Sequence, residues 1–274
     1  MADQRPLGPR PLGPFVDRAR DQSPGDWDAT TYDKVSDPMT RWGAAVLDRL
    51  PLEATDTVLD AGCGSGRVTE LLLGRVPEGH VVALDAAPSM VAEAHRRLDR
   101  YGPRCTVVDA DLLDLEPATL AGYAPVDAVL STATFHWVLD HDRLFANLAA
   151  VMAPGAVLEA QCGAAGNIEG LMVAVRRAGS ERAGTWLYAT PEDTRRRLHA
   201  AGFVDVQVWT HPEPTPLEPG EPLETYLATV CLRTHVADME RAERQAFLRA
   251  VADAMPEPVI DYVRLNISAR RPAP

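Results

Sequence analysis

A chain of 274 residues with 46% hydrophobic content has material for one large α/β domain, with room for a small helical cap but not for a second full domain. With 39 acidic against 27 basic side chains the formal net charge is -12, a field that repels polyphosphates and argues against nucleic acid as a partner. Four scattered cysteines (Cys63, Cys105, Cys162, Cys231) without a C-x-x-C pair predict neither a metal site nor a disulfide framework.

No run of about 18 apolar residues occurs, and the N-terminal Arg5 and Arg10 are not followed by the apolar stretch of a secretory signal, so the expectation is a soluble cytoplasmic protein without membrane contact. Residues 1–25 repeat the phrase PLGP among charges, a composition read as a disordered tail. Order is expected from Trp27, and over residues 26–50 Met39, Trp42, Val46, Leu47 and Leu50 recur at helical spacing, as N-terminal cap helices.

From Thr57 onward strands and helices alternate. Short apolar runs at 57–60, 81–85, 106–108, 126–131 and 157–161 read as buried parallel strands. Helical stretches at 68–73, 89–98 and 143–152 separate them, with Gly102 and Gly155 placed after helix ends. Thr190 reads as the N-cap of a helix from Pro191 to Gly202, and 204–209 as a further strand. Prolines 212, 214, 216, 219 and 222 then read as a bend, followed by a polar helical stretch from Leu223 to Ala254 and a closing strand at 259–269. The pattern predicts a doubly wound, mostly parallel, seven-stranded Rossmann-like sheet, with residues 221–256 inserted as a helical lid.

The richest stretch is Val58-Leu59-Asp60-Ala61-Gly62-Cys63-Gly64-Ser65-Gly66-Arg67, a strand ending near an acid and a glycine-dense turn that opens a helix. Glycines let the backbone approach a nucleoside closely, and amides at a helix N-terminus can hold a carboxylate. A dinucleotide fingerprint wants G-x-G-x-x-G, whereas the glycines here fall as G-x-G-x-G after Asp60, whose charge suits an ammonium better than a pyrophosphate. A nicotinamide oxidoreductase is disfavoured on that ground.

The motif D-x-G-x-G-x-G resembles the first motif of the class I S-adenosylmethionine-dependent methyltransferases. The stretch from Ser131 to His141 and the approach helix from Tyr32 to Trp42 look like the trans-aconitate methyltransferase branch. The resemblance spans residues 27–210. It implies S-adenosyl-L-methionine as cofactor, with Asp60, Gly62, Cys63, Gly64 and Gly66 at the methionine part, Asp85 and Ala86 at the ribose, and Asp111 and Leu112 at the adenine. Asp109, two residues earlier, is a rival to Asp111, and Asp85 could instead cap the turn before Pro88. Tyr32, Trp42, Ser131 and Trp137 complete the expected cofactor site, while core packing explains the two tryptophans and Tyr32 equally well.

Methyl transfer from a sulfonium needs a nucleophile held about 3 Å from the carbon, and a base only if the acceptor is not already ionised. His136, after the fourth strand, is the candidate base; a histidine that merely lines the pocket is the competing reading. Asp140 or Asp142 is expected to cap the following helix. The expected reaction is methylation of a small molecule, at an oxygen of a carboxylate or hydroxyl. The alternatives are carbon or nitrogen methylation, or cofactor binding without catalysis. An arginine beside the methyl site would point to acids, and Arg41, Arg233 and Arg264 lie in segments that could reach it. Tyr226, Cys231 and His235 of the lid are open to either a site or a packing role.

Overall fold

The structure is a computed structural model that describes residues 37–274. The expected tail, Trp27 and Tyr32 lie outside the described residues. Strands β1 (Thr57–Ala61), β2 (His80–Asp85), β3 (Cys105–Asp109), β4 (Val126–Thr132) and β5 (Met152–Gly163) run parallel. Strand β7 (Val259–Arg270) pairs antiparallel with β5 and with β6 (Val204–Pro216), giving the order β3-β2-β1-β4-β5-β7-β6. The sheet reverses its winding between β1 and β4, where an open α/β sheet leaves a crevice beyond the strands' carboxyl ends.

Alternate strand residues feed two cores. Val58, Val81, Ala83, Ala128 and Leu130 pack under α1 (Asp37–Leu47), α2 (Arg67–Arg75) and α3 (Pro88–Leu98). Leu59, Ala61, Val82, Leu84 and Leu158 face α4 (His141–Val151) and α6 (Pro191–Ala200). Helices on both faces explain why these strands read as unbroken apolar runs. The Thr190 hydroxyl accepts the Asp193 amide at 3.1 Å, and Asp140 accepts that of Arg143 at 3.0 Å, so each helix starts on a side-chain cap.

Four elements differ from the sequence expectation. Pro212, Pro214 and Pro216 belong to β6 rather than to a bend. β6 is an edge strand, which donates only alternate amides to its neighbour, and prolines two residues apart occupy the positions whose amides face outward. Gly155, expected beyond a helix end, lies inside β5, where the register with β4 slips between Met152 and Val157. The helix α5 (Glu169–Arg177) was not foreseen: it follows Ile168 in a left-handed conformation (φ 55°) and has no local cap. Its first amides are held by Asp261 of β7, at 2.6 Å from Gly170 and 3.3 Å from Leu171. The expected single helical stretch between β6 and β7 is broken into α7 (Glu221–Tyr226), a π-helical turn over Leu227–Cys231, α8 (Arg233–Val236) and α9 (Arg241–Ala254). These pack with α5 and Trp42 into a third apolar cluster at the β7 side of the sheet. No helix among the described residues is long and apolar enough to cross a membrane.

Candidate active site

A cavity of about 640 Å³ opens at the carboxyl ends of β1, β2 and β4. Its floor is the turn after β1. Gly62 has φ +86°, and a Cβ there would stand 2.2 Å from Thr134, so both backbone conformation and space demand glycine. The amides of Gly62 and Cys63 donate to the Leu84 carbonyl at 2.8 and 2.9 Å, tying the turn to the end of β2. Gly64 (φ +55°) meets nothing within 4 Å of a built Cβ; its open side is the cavity, and its amide donates to Asp85 Oδ2 at 2.8 Å.

Two carboxylates sit under and beside this turn. Asp60 is 1% exposed and lies beneath the loop rather than on the cavity wall. Its Oδ2 accepts the Thr69 hydroxyl at 2.6 Å, while Oδ1 is buried without a donor among the described residues. Burial pushes the Asp60 carboxyl up to about 7, against the lowering effect of Thr69 and with a further push from Asp85. Asp85 is on the wall, its Oδ1 accepting the Ala87 amide at 2.9 Å; burial raises its carboxyl too, and the backbone donors oppose the rise.

The wall also contains Cys63, Ala86, Asp111, Leu112 and Trp137. Asp111 rather than its rival Asp109 reaches the cavity; its Oδ1 accepts the Leu113 amide at 2.8 Å and shapes the turn there. Besides Asp60, three expected residues are placed elsewhere. The Ser131 hydroxyl is spent on the Ala61 carbonyl at 2.7 Å, inside the sheet. Gly66 sits behind the wall, at the entrance to α2, with φ +84°. Trp42 belongs to an adjoining recess. Met39, read in sequence only as part of a helical face, and Thr40 line the main cavity, because a buried helical face reads the same over a pocket as over a core.

That recess, about 40 Å³, shares Met39, Ala133 and Trp137 with the main cavity, so the two lie side by side. It is the polar end of the site. Arg264 of β7 is 3% exposed, its guanidinium carbon 4.7 Å from the Trp42 ring centre and its Nε donating to Gln161 Oε1 at 3.2 Å. Among the described residues, no acidic side chain lines the recess. Burial lowers the Arg264 pKa, yet an arginine stays charged in proteins, so a cation without a counter-charge among the described residues faces this space. Tyr188, Asn167, Cys231 and Tyr262 close the walls. Cys231 Sγ and the Tyr226 hydroxyl both contact the Tyr262 hydroxyl, at 3.3 and 2.9 Å.

His136 lines the same recess, and its environment differs from that of the expected base. Burial, then Arg264 and His141, hold its pKa well below 6.5, so the ring is neutral. Its Nδ1 accepts the Gly163 amide at 3.3 Å, which leaves the proton on Nε2. The ring therefore presents a donor, and its basic nitrogen is already engaged. Of the other candidates, Arg41 is exposed on α1, and His235 donates from Nε2 to the Arg182 carbonyl at 3.0 Å. Tyr188 and Asn167 carried no sequence signal: they stand in segments without periodicity and reach the recess only through the fold.

Comparison with known proteins decides the family. A methyltransferase-domain family profile matches residues 58–155. A trans-aconitate 2-methyltransferase of Methylobacterium radiotolerans is 30% identical over 240 residues, 84% of this chain and 89% of that protein. The chain belongs to the class I S-adenosylmethionine-dependent methyltransferases. Within them it falls in the trans-aconitate 2-methyltransferase branch. The Methylobacterium nodulans protein of that name is 41% identical over 136 residues, about half of each chain (50% and 49%), and the Yersinia pseudotuberculosis one is 28% identical over 82% of this chain and 86% of its own. The fold of this methyltransferase is also that of the Haemonchus contortus phosphoethanolamine N-methyltransferase 2 with S-adenosylhomocysteine (TM-score 0.60, 16% identity, 89% of this chain and 57% of that one). The cyclopropane synthase MmaA2 of Mycobacterium tuberculosis shares it as well (TM-score 0.56, 18% identity, 84% and 83%). The enzyme transfers methyl groups from S-adenosylmethionine.

Proposed function

We propose that this cytoplasmic enzyme methylates a carboxylate oxygen of a small acid carrying at least two carboxylates, of which trans-aconitate, named in its relatives, is the first candidate. The observation that carries this reading is Arg264: a buried guanidinium with no acidic partner among the described residues, in a recess beside the cofactor cavity, suits an anion and nothing apolar. A recess of about 40 Å³ admits one functional group rather than a molecule. One carboxylate is anchored there while the body of the acid lies in the larger cavity. Contact with a guanidinium withdraws charge from the anchored group, so the methylated oxygen belongs to a second carboxylate.

The cofactor supplies an electrophilic methyl on sulfonium, and this chain's residues fit it. The buried, donorless Oδ1 of Asp60 calls for a cation such as the ammonium of the methionine part. Gly62, Cys63, Gly64 and Gly66 form the turn around that part, Asp85 and Ala86 take the ribose, and Asp111 and Leu112 the adenine. Trp137, on the walls of both spaces, stands between cofactor and acceptor. His136 donates from Nε2 to the acceptor instead of taking its proton; an ionised carboxylate with a pKa near 4 needs no base. The helices between β6 and β7, which bring Cys231 and Val230 to the recess, act as its lid.

Purified enzyme, S-adenosylmethionine labelled in the methyl group and either trans-aconitate or a monocarboxylate of similar size test the reading. Base-labile label in trans-aconitate alone supports it. Label stable to mild alkali, or equal transfer to the monocarboxylate, overturns it.

A further inference from the structure

The Arg264 guanidinium is the inner end of a hydrogen-bonded chain that crosses the sheet to the surface. Arg264 Nε donates to Gln161 Oε1 at 3.2 Å, and Gln161 Nε2 to Asn266 Oδ1 at 3.0 Å. Asn266 Nδ2 meets His211 Nδ1 at 2.9 Å, and His211 Nε2 lies 3.4 Å from Glu213 Oε2. The register makes this possible: Gln161 pairs with Asn266 between β5 and β7, and His211 with Arg264 between β6 and β7, so all the members share one sheet face. Gln161 and Asn266 are 5% and 1% exposed, whereas the outer His211 and Glu213 side chains are 38% and 35% exposed.

The direction of this chain is forced from within. A guanidinium has donors only, so Gln161 must turn its oxygen inward and its nitrogen outward. The same constraint passes to Asn266, whose nitrogen then faces His211 and requires an unprotonated Nδ1. The imidazole proton is left on Nε2, towards the Glu213 carboxylate. Neutral amides at the two inner places have a second consequence. They fix Arg264 through Nε without cancelling its charge, and they leave the terminal nitrogens, the edge that grips a carboxylate in two-pronged fashion, for a ligand. The Trp42 ring, 4.7 Å from the guanidinium carbon, sets the plane of the group from the side.

We propose that Gln161 and Asn266 are positioning residues that hold Arg264 charged and oriented for the acceptor carboxylate, through a one-way amide chain ending at His211 and Glu213. This rests on the acceptor role given to Arg264 above.

Gln161→Glu, nearly isosteric, places a carboxylate on Arg264 and reverses the chain, because Asn266 must then turn its nitrogen inward and its oxygen towards His211. The acceptor KM for trans-aconitate is expected to rise about tenfold or more, with kcat changed less than about threefold and S-adenosylhomocysteine affinity unchanged. Nitrogen-15 spectra of histidine-labelled enzyme, with His211 assigned by His211→Gln among the seven histidines, give a second reading. Wild-type His211 is expected as the Nε2–H tautomer, and in Gln161→Glu its Nδ1 becomes protonated, a change two links from the substitution that loosened packing alone would not produce. A wild-type His211 with its proton on Nδ1 overturns the chain whatever the variants do. So does an unchanged KM in Gln161→Glu alongside a raised KM in Arg264→Met. An unchanged KM in Arg264→Met, with the wild-type tautomer as expected, instead overturns the acceptor reading beneath it.

Discussion

Replacing Asp60 by asparagine removes a charge that burial disfavours, and the size of the effect follows from the site. The rise of the carboxyl from 3.8 to about 7 corresponds to about 4 kcal/mol. The sign is set by linkage: a raised acid favours the protonated form in the folded state, so stability is full below about 4, falls between about 4 and 7 and is level above. Asparagine keeps an oxygen for the Thr69 hydroxyl but puts an amide where Oδ1 has no partner, a loss of about 1–3 kcal/mol. Asp60→Asn is therefore expected to be about 1–3 kcal/mol more stable than wild type at pH 8, and its advantage to shrink by about 2.5 kcal/mol at pH 5. Urea titrations of cofactor-free protein at several pH values measure this. S-adenosylhomocysteine affinity moves the other way: it weakens about tenfold or more in the variant and loses the rise with pH that wild type shows up to about 7. A variant less stable than wild type at pH 8, or with the same pH slope, would refute the reasoning.

Gly62→Ala combines a left-handed backbone with a clash on Thr134 and is expected to lose about 2–5 kcal/mol and most cofactor affinity. Gly64→Ala, with the same backbone strain but open space, loses only about 1–2 kcal/mol, so denaturation of the pair separates the two terms. His136→Gln keeps a donor at the recess and is expected to retain kcat within about tenfold, whereas loss of a general base removes about a hundredfold or more. Since burial and Arg264 keep His136 neutral, kcat of the wild type should show no histidine limb between pH 6 and 8. Asp261→Ala uncaps α5 across the sheet and is expected to lower stability by about 1–2 kcal/mol, with thermal melting as the check.

What could be read along the chain was what is local in it. The glycine turn, the acids at the ends of β1 and β2 and beyond β3, and the Thr190 and Asp140 caps each depend on residues a few positions apart; Gly62, Gly64, Asp85 and Asp111 line the cavity and both caps form, while Asp60 lies beneath the loop and Gly66 behind the wall. The helix α5 was hidden because its cap, Asp261, is some ninety residues away. The prolines of β6 misled because proline marks a turn unless an edge strand hides the missing donor, and edge position is a property of the whole sheet. The recess was hidden for the same reason as α5: Trp42, His136, Tyr188 and Arg264 meet there from four elements or loops, and Arg264 looks no different in sequence from the exposed Arg41. Ser131, at a strand end that faces the ligand crevice, was spent instead on a neighbouring carbonyl, a choice that only the strand pairing reveals.

The acid-binding role of the recess is most directly tested by a crystal structure of the enzyme with S-adenosylhomocysteine and trans-aconitate. One carboxylate of the acid should lie about 3 Å from the terminal nitrogens of Arg264, with another turned towards the sulfur of the cofactor product. A trans-aconitate bound away from Arg264, or a guanidinium left facing only water while the acid occupies the cavity, would contradict it.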